Sequence, residues 1–143
     1  MKPIIALRRL VLAIGAKLTW LPPLVARVTV GWVFVEAGWG KVHNIGRVVE
    51  FFRSLGIPAP EFQAPLAAWS ELICGGLLLA GLLTRVASVP LIITMIVALA
   101  TAKRGDIGGA SDLFARSEYL YFALLLYLGV AGGGALSADR LID

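Results

Sequence analysis

The stretch PLVARVTVGWVFVEAGWGK, residues 23–41, decides the fold. It is almost continuously apolar and ends at a cation, Lys41. An α-helix of about 18–20 residues crosses the roughly 30 Å hydrocarbon core of a bilayer. Pro22 and Pro23 suit the first turn of such a helix, where a proline has no hydrogen bond to lose. We therefore predict a first transmembrane helix over residues 23–41.

Three further apolar stretches follow the first, at residues 65–83, 86–102 and 117–136. The pair Thr84-Arg85 leaves room only for a tight turn between the second and third stretches. The polar segment 103–116 contains several glycines and separates the third stretch from the fourth. The pattern predicts four membrane spans joined by one tight turn and two longer connections.

Two amphipathic segments lie outside the predicted spans. Residues 1–20 are basic with a short apolar run, which is typical of a helix lying on the membrane surface. Residues 42–64 alternate apolar and charged side chains at helical spacing until GIPAP, residues 56–60, interrupts the pattern. The predicted fold is an all-α membrane protein in one domain, 1–143. It is a bundle of four transmembrane helices, with an N-terminal interfacial amphipathic helix and a short surface helix in the first outer loop.

Composition supports a membrane protein and excludes several kinds of site. The 143 residues are 59% hydrophobic, with a mean hydropathy of +0.86, which is more apolar surface than a small soluble domain can bury. The net charge is +4, but the cations stand at the ends of apolar segments, so a nucleic-acid partner is not expected. With one cysteine, Cys74, and one histidine, His43, the chain excludes an intrachain disulfide, a haem held by two of its own histidines and a zinc site built on several His or Cys ligands, and no metal site is predicted.

The distribution of cations gives a weak prediction of orientation. One predicted side carries Lys2, Arg8, Arg9, Lys17, Arg85 and Arg140, and the other carries Lys41, Arg47, Arg53, Lys103, Arg104 and Arg116. The count is equal, so the rule that positive loops stay inside does not decide between the sides. The basic N-terminal segment usually dominates, and we expect both termini in the cytoplasm.

Four charged residues fall within the predicted spans, where a charge is costly and indicates a function by default. Glu36 and Glu71 lie roughly 8–9 Å inside the outer ends of their helices, at about 1.5 Å per residue. Glu118 opens the fourth helix on the same outer side, whereas Arg27 lies near the inner interface. The outer half of the bundle is therefore predicted to gather three carboxylates.

Helical spacing predicts which of these residues face one another. Arg27, Gly31, Phe34, Gly38 and Lys41 recur at intervals of four and three, so they form one stripe along the first helix. Small residues share a face with Glu71 on the second helix, and Glu118 shares a face with Tyr121 on the fourth. If these faces turn inward, Lys41 neutralises Glu71 or Glu118.

The residues sort into three candidate groups, and no catalytic residue is predicted. Candidates for holding a ligand or protons are Glu71, Glu118, Lys41, Tyr121 and Phe34, because a carboxylate in a low-dielectric site can exchange protons near neutral pH. Structural polar or packing residues are Arg27, Gly31, Gly38, Gly75 and Arg85. The off-stripe residues Trp32, Glu36, Trp39 and His43 form a candidate partner face. A structural ion pair that fixes helix register is the alternative to ligand handling, and Cys74 is interpreted as an inert buried residue.

The order of these motifs resembles the DoxX family. The first stripe, Arg27-x3-Gly31-x2-Phe34-x3-Gly38-x2-Lys41, resembles the motif of that family's first helix. The segment FFRSLGIPAP, residues 51–60, resembles the loop before its second helix. Glu71-x3-Gly75-Gly76-Leu77, followed by GLLTR at residues 81–85, resembles its second helix and tight turn. The resemblance covers roughly residues 24–102.

The resemblance implies a four-helix protein of the bacterial inner membrane, and some members of the family are subunits of a thiosulfate:quinone oxidoreductase. Our leading hypothesis is an accessory membrane subunit of a quinone-linked redox system that holds a quinone, or a similar apolar ligand, in the bundle, without a covalent cofactor. Its partners would be membrane lipid, another membrane or periplasmic redox protein, and a second copy of itself. A non-enzymatic scaffold and a carrier for a small lipid or metabolite are the alternatives.

Overall fold

The computed structural model describes residues 2–141, and side chains from residue 3 onward. Its elements are α1 (Lys2–Lys17), α2 (Leu21–Val42), α3 (Ile45–Ser54), α4 (Pro60–Ala80), α5 (Thr84–Ala100), α6 (Ala110–Ala115) and α7 (Ser117–Ala131), with short 3-10 helices at Arg104–Asp106 and Ala138–Leu141. No strand occurs within residues 2–141, so the predicted all-helical class is confirmed. The side chain of Lys2, which was counted in the charge distribution, and residues 1, 142 and 143 lie outside the described part.

Helices α2, α4, α5 and α7 pack around one apolar core. Its buried members are Val30, Phe34, Leu78, Ala87, Leu91, Met95 and Leu125, and each of the four helices contributes at least one of them. Helices α2 and α4 approach each other most closely, because glycines replace larger side chains along their contact. A Cβ atom added at Gly38 would lie 2.4 Å from the backbone nitrogen of Leu72. The inward stripe predicted from Gly31 and Gly38 is therefore the packing surface of α2.

By length and composition alone, one described helix, Pro60–Ala80, is long and apolar enough to cross a membrane. Thr84–Ala100 and Ser117–Ala131 are apolar but shorter, with 17 and 15 residues. Helix α2 has 22 residues and covers the predicted stretch 23–41. As membrane spans, the four segments stay predictions, and so does the single membrane domain.

The tight turn predicted at Thr84-Arg85 lies instead at residues 81–83. Gly81 and Leu83 adopt φ 68° and 48° there, and α5 already begins at Thr84.

Two further predicted boundaries differ from the structure for identifiable backbone reasons. Helix α4 begins at Pro60, not at residue 65, because Pro60 occupies its first turn and Pro65 is accommodated inside it. Helix α7 ends at Ala131, not at residue 136, because Gly132 adopts φ 82°. The chain beyond this glycine turns back toward the start of α2.

Of two other predicted segments, one differs from the structure and one agrees with it. The predicted loop 103–116 contains helix α6. The N-terminal segment is helical as predicted, and every residue from 3 to 17 is exposed. Its position on a membrane surface stays a prediction.

Candidate functional site: a cavity beside a buried ion pair

A buried ion pair joins α2 to α4. The Nζ atom of Lys41 lies 2.6 Å from both carboxylate oxygens of Glu71. Glu71 is 1% exposed in its side chain and Lys41 is 33% exposed. Lys41 lies in the last turn of α2, and the glycine contacts between α2 and α4 bring its stem against the middle of α4. Of the two partners that the sequence left open for Lys41, the structure selects Glu71.

The same pair forms part of the wall of a cavity of about 570 Å³. Helix α3 covers the cavity, and the facing sides of α4 and α5 form its remaining walls. The side chains from α3 are mainly apolar and include Val48, Phe51, Phe52 and Leu55. Helices α4 and α5 contribute, among others, Leu66, Ala67, Ile93, Val97 and Ala98. The cavity is therefore a mainly apolar space whose charged groups are the Lys41–Glu71 pair and Arg47 of α3.

Besides the ion pair, the lining contains a second cation, Arg47, which is exposed on α3, and a few uncharged polar groups that donate to nearby carbonyls. The Ser70 hydroxyl donates to the carbonyl of Ala67 at 3.0 Å, and the Thr94 hydroxyl donates to the carbonyl of Pro90 at 3.1 Å. The Gln63 amide nitrogen donates to the carbonyl of Pro58 at 2.7 Å. The hydroxyl oxygens keep lone pairs that can accept a hydrogen bond. Together with the ammonium of Lys41, they favour a ligand that is largely apolar and carries a small number of polar atoms.

The structure does not bring all of the ligand candidates to this cavity. Glu118 lies 3.7 Å from Lys103, so its partner is a different lysine. Phe34 is buried in the core, and its ring meets that of Tyr121 edge-on with centroids 6.4 Å apart. Neither ring lines the cavity. The candidate site is thus reduced to Lys41 and Glu71, with the two aromatic rings in the packed core and Glu118 elsewhere.

The off-stripe face of α2 is open over its whole length. Trp32 and Trp39 are 63% and 60% exposed, and Glu36 lies exposed between them. The Trp39 and His43 rings lie with centroids 4.3 Å apart, and His43 Nδ1 is 2.8 Å from the carbonyl oxygen of Trp39. Within residues 2–141, Glu36 forms no ion pair. The four residues of the candidate partner face therefore share one unoccupied surface.

The predicted packing residues lie along the α2–α4 contact and at the end of the bundle where α2 begins. Gly31, Gly38 and Gly75 are buried between α2 and α4. Arg27 is also buried, and its Nη2 donates to the carbonyl oxygen of Leu136 at 2.5 Å. Arg85 is exposed and lines a second cavity at that end.

Sequence reasoning missed the role of α3 and of α5 at the cavity. The apolar residues of α3 were recognised as one side of an amphipathic helix, but nothing in their spacing indicates that this side covers a cavity. The described residues hold no group of three or more side chains suited to a metal. Cys74 is half-buried and free.

Fold and site together define a class of small, all-helical proteins with an apolar exterior and a cavity beside a buried ion pair. The family model that matches residues 23–104 is DoxX, and the chain belongs to the DoxX family. An uncharacterized membrane protein of Mycobacterium tuberculosis is 37% identical, with 85% of this chain and 83% of that protein covered. No solved structure matches the chain.

Two further relatives carry more specific names. The Bacillus subtilis protein named "Putative oxidoreductase CatD" is 31% identical, with 83% of this chain and 85% of the relative covered. The "Inner membrane protein YqjF" of Escherichia coli is 31% identical, with 84% and 91% covered. Across these relatives, the names describe membrane proteins in two cases and an oxidoreductase in one.

Proposed function

We propose that this protein is embedded in the bacterial inner membrane by α2, α4, α5 and α7. In this proposal it binds a quinone-like ligand in the cavity beside Lys41 and Glu71, as an accessory subunit of a redox system. The observation that carries the proposal is the cavity of about 570 Å³ with the ion pair in its wall. Ligand pockets in proteins typically measure about 300–1,000 Å³, are mainly apolar and contain a few well-placed polar groups.

The exterior of the four helices supports the membrane location. Large apolar side chains are exposed along them, among them Trp32, Trp69, Ile73, Val89, Ile96 and Val130. At about 1.5 Å per residue, α2 and α4 measure roughly 33 and 32 Å and match the hydrocarbon core, whereas α5 and α7 measure roughly 26 and 23 Å. Local thinning of the bilayer accommodates the two shorter helices. The names of the relatives from M. tuberculosis and E. coli also favour this location.

The chemistry of the wall favours a ligand with a carbonyl oxygen at one end of an apolar body. Lys41 donates to such an oxygen, and Glu71 holds the lysine in place and can take up or release a proton. A bound quinone would supply two-electron, two-proton redox chemistry. Electrons would come from a partner redox protein, since a chain with one cysteine and one histidine carries neither a dithiol pair nor a haem held by two histidines. The name of the B. subtilis relative supports a redox setting.

Mass spectrometry of an organic extract from the purified protein tests the proposal directly. Wild type in a mild detergent is expected to carry a quinone at close to one molecule per chain. The double variant Lys41→Met, Glu71→Leu removes both charges together, so no unpaired charge is left in the wall. It is expected to lose the ligand while it elutes like wild type. Glu118→Gln is the matched control, because Glu118 lies away from the cavity, and it is expected to retain the ligand.

A steric variant tests the same cavity without touching the ion pair. Ala98 lines the cavity on α5, so Ala98→Trp fills space that the ligand needs. Ala123, exposed on α7, provides the control Ala123→Trp. Loss of the quinone only in the first variant supports the cavity as the site. No enriched quinone in wild type, or equal retention in all variants, overturns the proposal.

The exposed face of α2 favours a second candidate function, a scaffold that docks a membrane partner. A carboxylate facing lipid is costly, so Glu36 between Trp32 and Trp39 favours a partner helix with a cation at the same depth. Glu36→Gln is then expected to abolish co-purification of the partner and leave ligand retention unchanged. Glu118→Gln again serves as the control, and unchanged co-purification in Glu36→Gln contradicts the scaffold.

A further inference from the structure

A second cavity of about 430 Å³ lies at the opposite end of the bundle from α3. It is open to the surface and lined by the start of α5, the glycine turn after α7 and the C-terminal 3-10 helix. No part of the Lys41–Glu71 site contributes to it. Its function is therefore independent of the ligand proposed for the first cavity.

Positive charge dominates this second cavity. Arg85 and Arg140 both line it, and both are exposed. Arg85 makes no hydrogen bond or ion pair to any residue between 2 and 141, and Arg140 only reaches the carbonyl oxygen of Ala135 at 3.5 Å. Asp139 is the one carboxylate in the lining, and its Oδ2 atom already accepts the backbone N–H of Thr84 at 3.0 Å. Within residues 2–141, the two arginines therefore share this cavity with a single carboxylate.

A third arginine lies directly behind this lining. Arg27 is 4% exposed, and beyond its bond to Leu136 its Nε and Nη1 atoms have no partner among the described residues. Gly81 leaves the space that the guanidinium occupies beside the C-terminal segment, because a Cβ there would lie 1.6 Å from Arg27 Nη1 and 2.9 Å from the Cα of Ser137. Its charge adds to the positive potential at this end of the bundle.

A buried hydroxyl in the wall also lacks a partner. Thr84 lines the cavity and is fully buried, and its Oγ1 atom has no hydrogen bond within the described residues. An unpaired buried polar group costs free energy until something satisfies it. The glycine turn opposite keeps backbone at the cavity surface, since Gly132 and Gly134 adopt φ 82° and 81° and place no side chain there. A ligand with several strong acceptor oxygens matches this combination of donors and cations.

We propose that this cavity binds a phosphate group through Arg85, Arg140 and Thr84. The group is either the phosphodiester of an anionic phospholipid or free inorganic phosphate. Arginine is well suited to phosphate because its planar fork donates two hydrogen bonds at once. Leu83 and Val86, which line the cavity and are exposed beside it, offer an apolar surface for an acyl chain.

Native mass spectrometry of the full chain in a neutral detergent tests the site, with dioleoyl phosphatidylglycerol as the lipid probe. Wild type is expected to retain one lipid. Arg85→Gln, Arg140→Gln is expected to bind it roughly thirtyfold more weakly, at about fivefold for each cation lost near a phosphate. The matched control Arg8→Gln, Arg9→Gln removes the same charge from α1, outside the cavity, and is expected to bind like wild type.

Competition separates the two sources of phosphate. The site is assigned to free phosphate if sodium phosphate displaces the lipid from wild type and raises the thermal midpoint of the protein. Sodium chloride at equal ionic strength is expected to do neither. If sodium phosphate leaves lipid retention unchanged, the site is assigned to the lipid headgroup. Equal weakening in the two double variants, or no binding of either probe by wild type, overturns the proposal. If the double variant does not fold, the lipid affinities of Arg85→Gln and Arg140→Gln are measured instead, and each is expected to be about fivefold weaker than wild type.

Discussion

At the scale of single residues, two opposing contributions act on the pair formed by Lys41 and Glu71: burial destabilises a charge, and an oppositely charged partner stabilises it. Removing a carboxylate from water costs several kcal/mol, and a close partner offsets that cost only while both members are present. Glu71 is almost completely buried, whereas Lys41 keeps a third of its side chain exposed. The two members are therefore not equivalent, because a lone Lys41 can reach water and a lone Glu71 cannot.

A double-mutant cycle on this pair measures that asymmetry. Lys41→Met leaves a buried unpaired carboxylate and is expected to lower the free energy of unfolding by about 3 kcal/mol, whereas Glu71→Leu costs less. The double variant is expected to lie close to wild type, because the apolar side chains replace the pair with similar volume. Chemical unfolding in detergent provides the measurement.

The control for this cycle is the ion pair between Arg53 and Glu61, in which both members are exposed. Arg53→Met is expected to leave stability within error, because exposed ion pairs contribute little. Equal losses from Lys41→Met and Arg53→Met contradict the interpretation of Lys41–Glu71 as a buried pair.

At the scale of the helices, the contact between α2 and α4 depends on missing side chains. A methyl group at Gly38 would collide with backbone atoms of Leu72, at 2.4 Å from its nitrogen and 2.8 Å from its Cα. The same group at Gly40 would meet nothing within 4 Å. Two glycines of one helix, two residues apart, thus have opposite structural roles.

Alanine substitution at these two positions separates packing from helix propensity. Gly38→Ala is expected to destabilise the protein by about 2 kcal/mol or more, because the helices must separate to admit the methyl group. Gly40→Ala is expected to be neutral or to stabilise by up to about 1 kcal/mol, from helix propensity alone. Thermal unfolding of both variants in one detergent is the measurement, and similar shifts in both would show that the close contact is absent.

The beginning of α5 depends on a second contact between elements. Asp139 of the C-terminal 3-10 helix accepts the N–H of Thr84, one of the first-turn amides of α5 that has no partner within its helix. Asp139→Ala is expected to cost about 1 kcal/mol, as the loss of a helix cap does. Asp112→Ala is the control, because Asp112 accepts the amide of Gly108 within an exposed loop. A loss at Asp112 as large as at Asp139 would contradict a specific role at α5.

Helical periodicity predicted which side of a helix a residue occupies, but not which other helix that side contacts. The stripe from Arg27 to Lys41 was placed correctly on the packing face of α2, because a spacing of three and four residues maps onto one side of any helix. The choice of Glu71 over Glu118 depends on how α4 and α7 are arranged around α2, which spacing does not encode. The predicted start of α4 was wrong by five residues, because Pro60 and Pro65 can both occupy the first turn of a helix. Helix α6 has only six residues, too few to establish a period.

At the scale of the whole molecule, the contacts fix which segments share an end of the bundle. Arg27 near the start of α2 binds the carbonyl of Leu136 after α7, so the start of α2 and the C-terminal segment meet at one end. Helix α3 and the pair Lys103–Glu118 lie at the other end. This arrangement requires an even number of crossings if the bundle spans a membrane, with α1 and the C-terminal segment on the same side.

Cysteine labelling tests this topology and its orientation together. In a Cys74→Ser background, exposed positions receive a cysteine one at a time: Ser54 and Gly109 at the α3 end, and Lys17 and Leu141 at the other end. With the termini in the cytoplasm, a membrane-impermeant maleimide applied to spheroplasts is expected to label Ser54→Cys and Gly109→Cys. It is expected to reach Lys17→Cys and Leu141→Cys only after the membrane is opened. The reverse pattern preserves the bundle and inverts its orientation, which the equal count of cations on the two sides permits. Labelling of Lys17→Cys and Leu141→Cys from opposite sides would instead contradict an even number of crossings, and with it the four-helix membrane bundle.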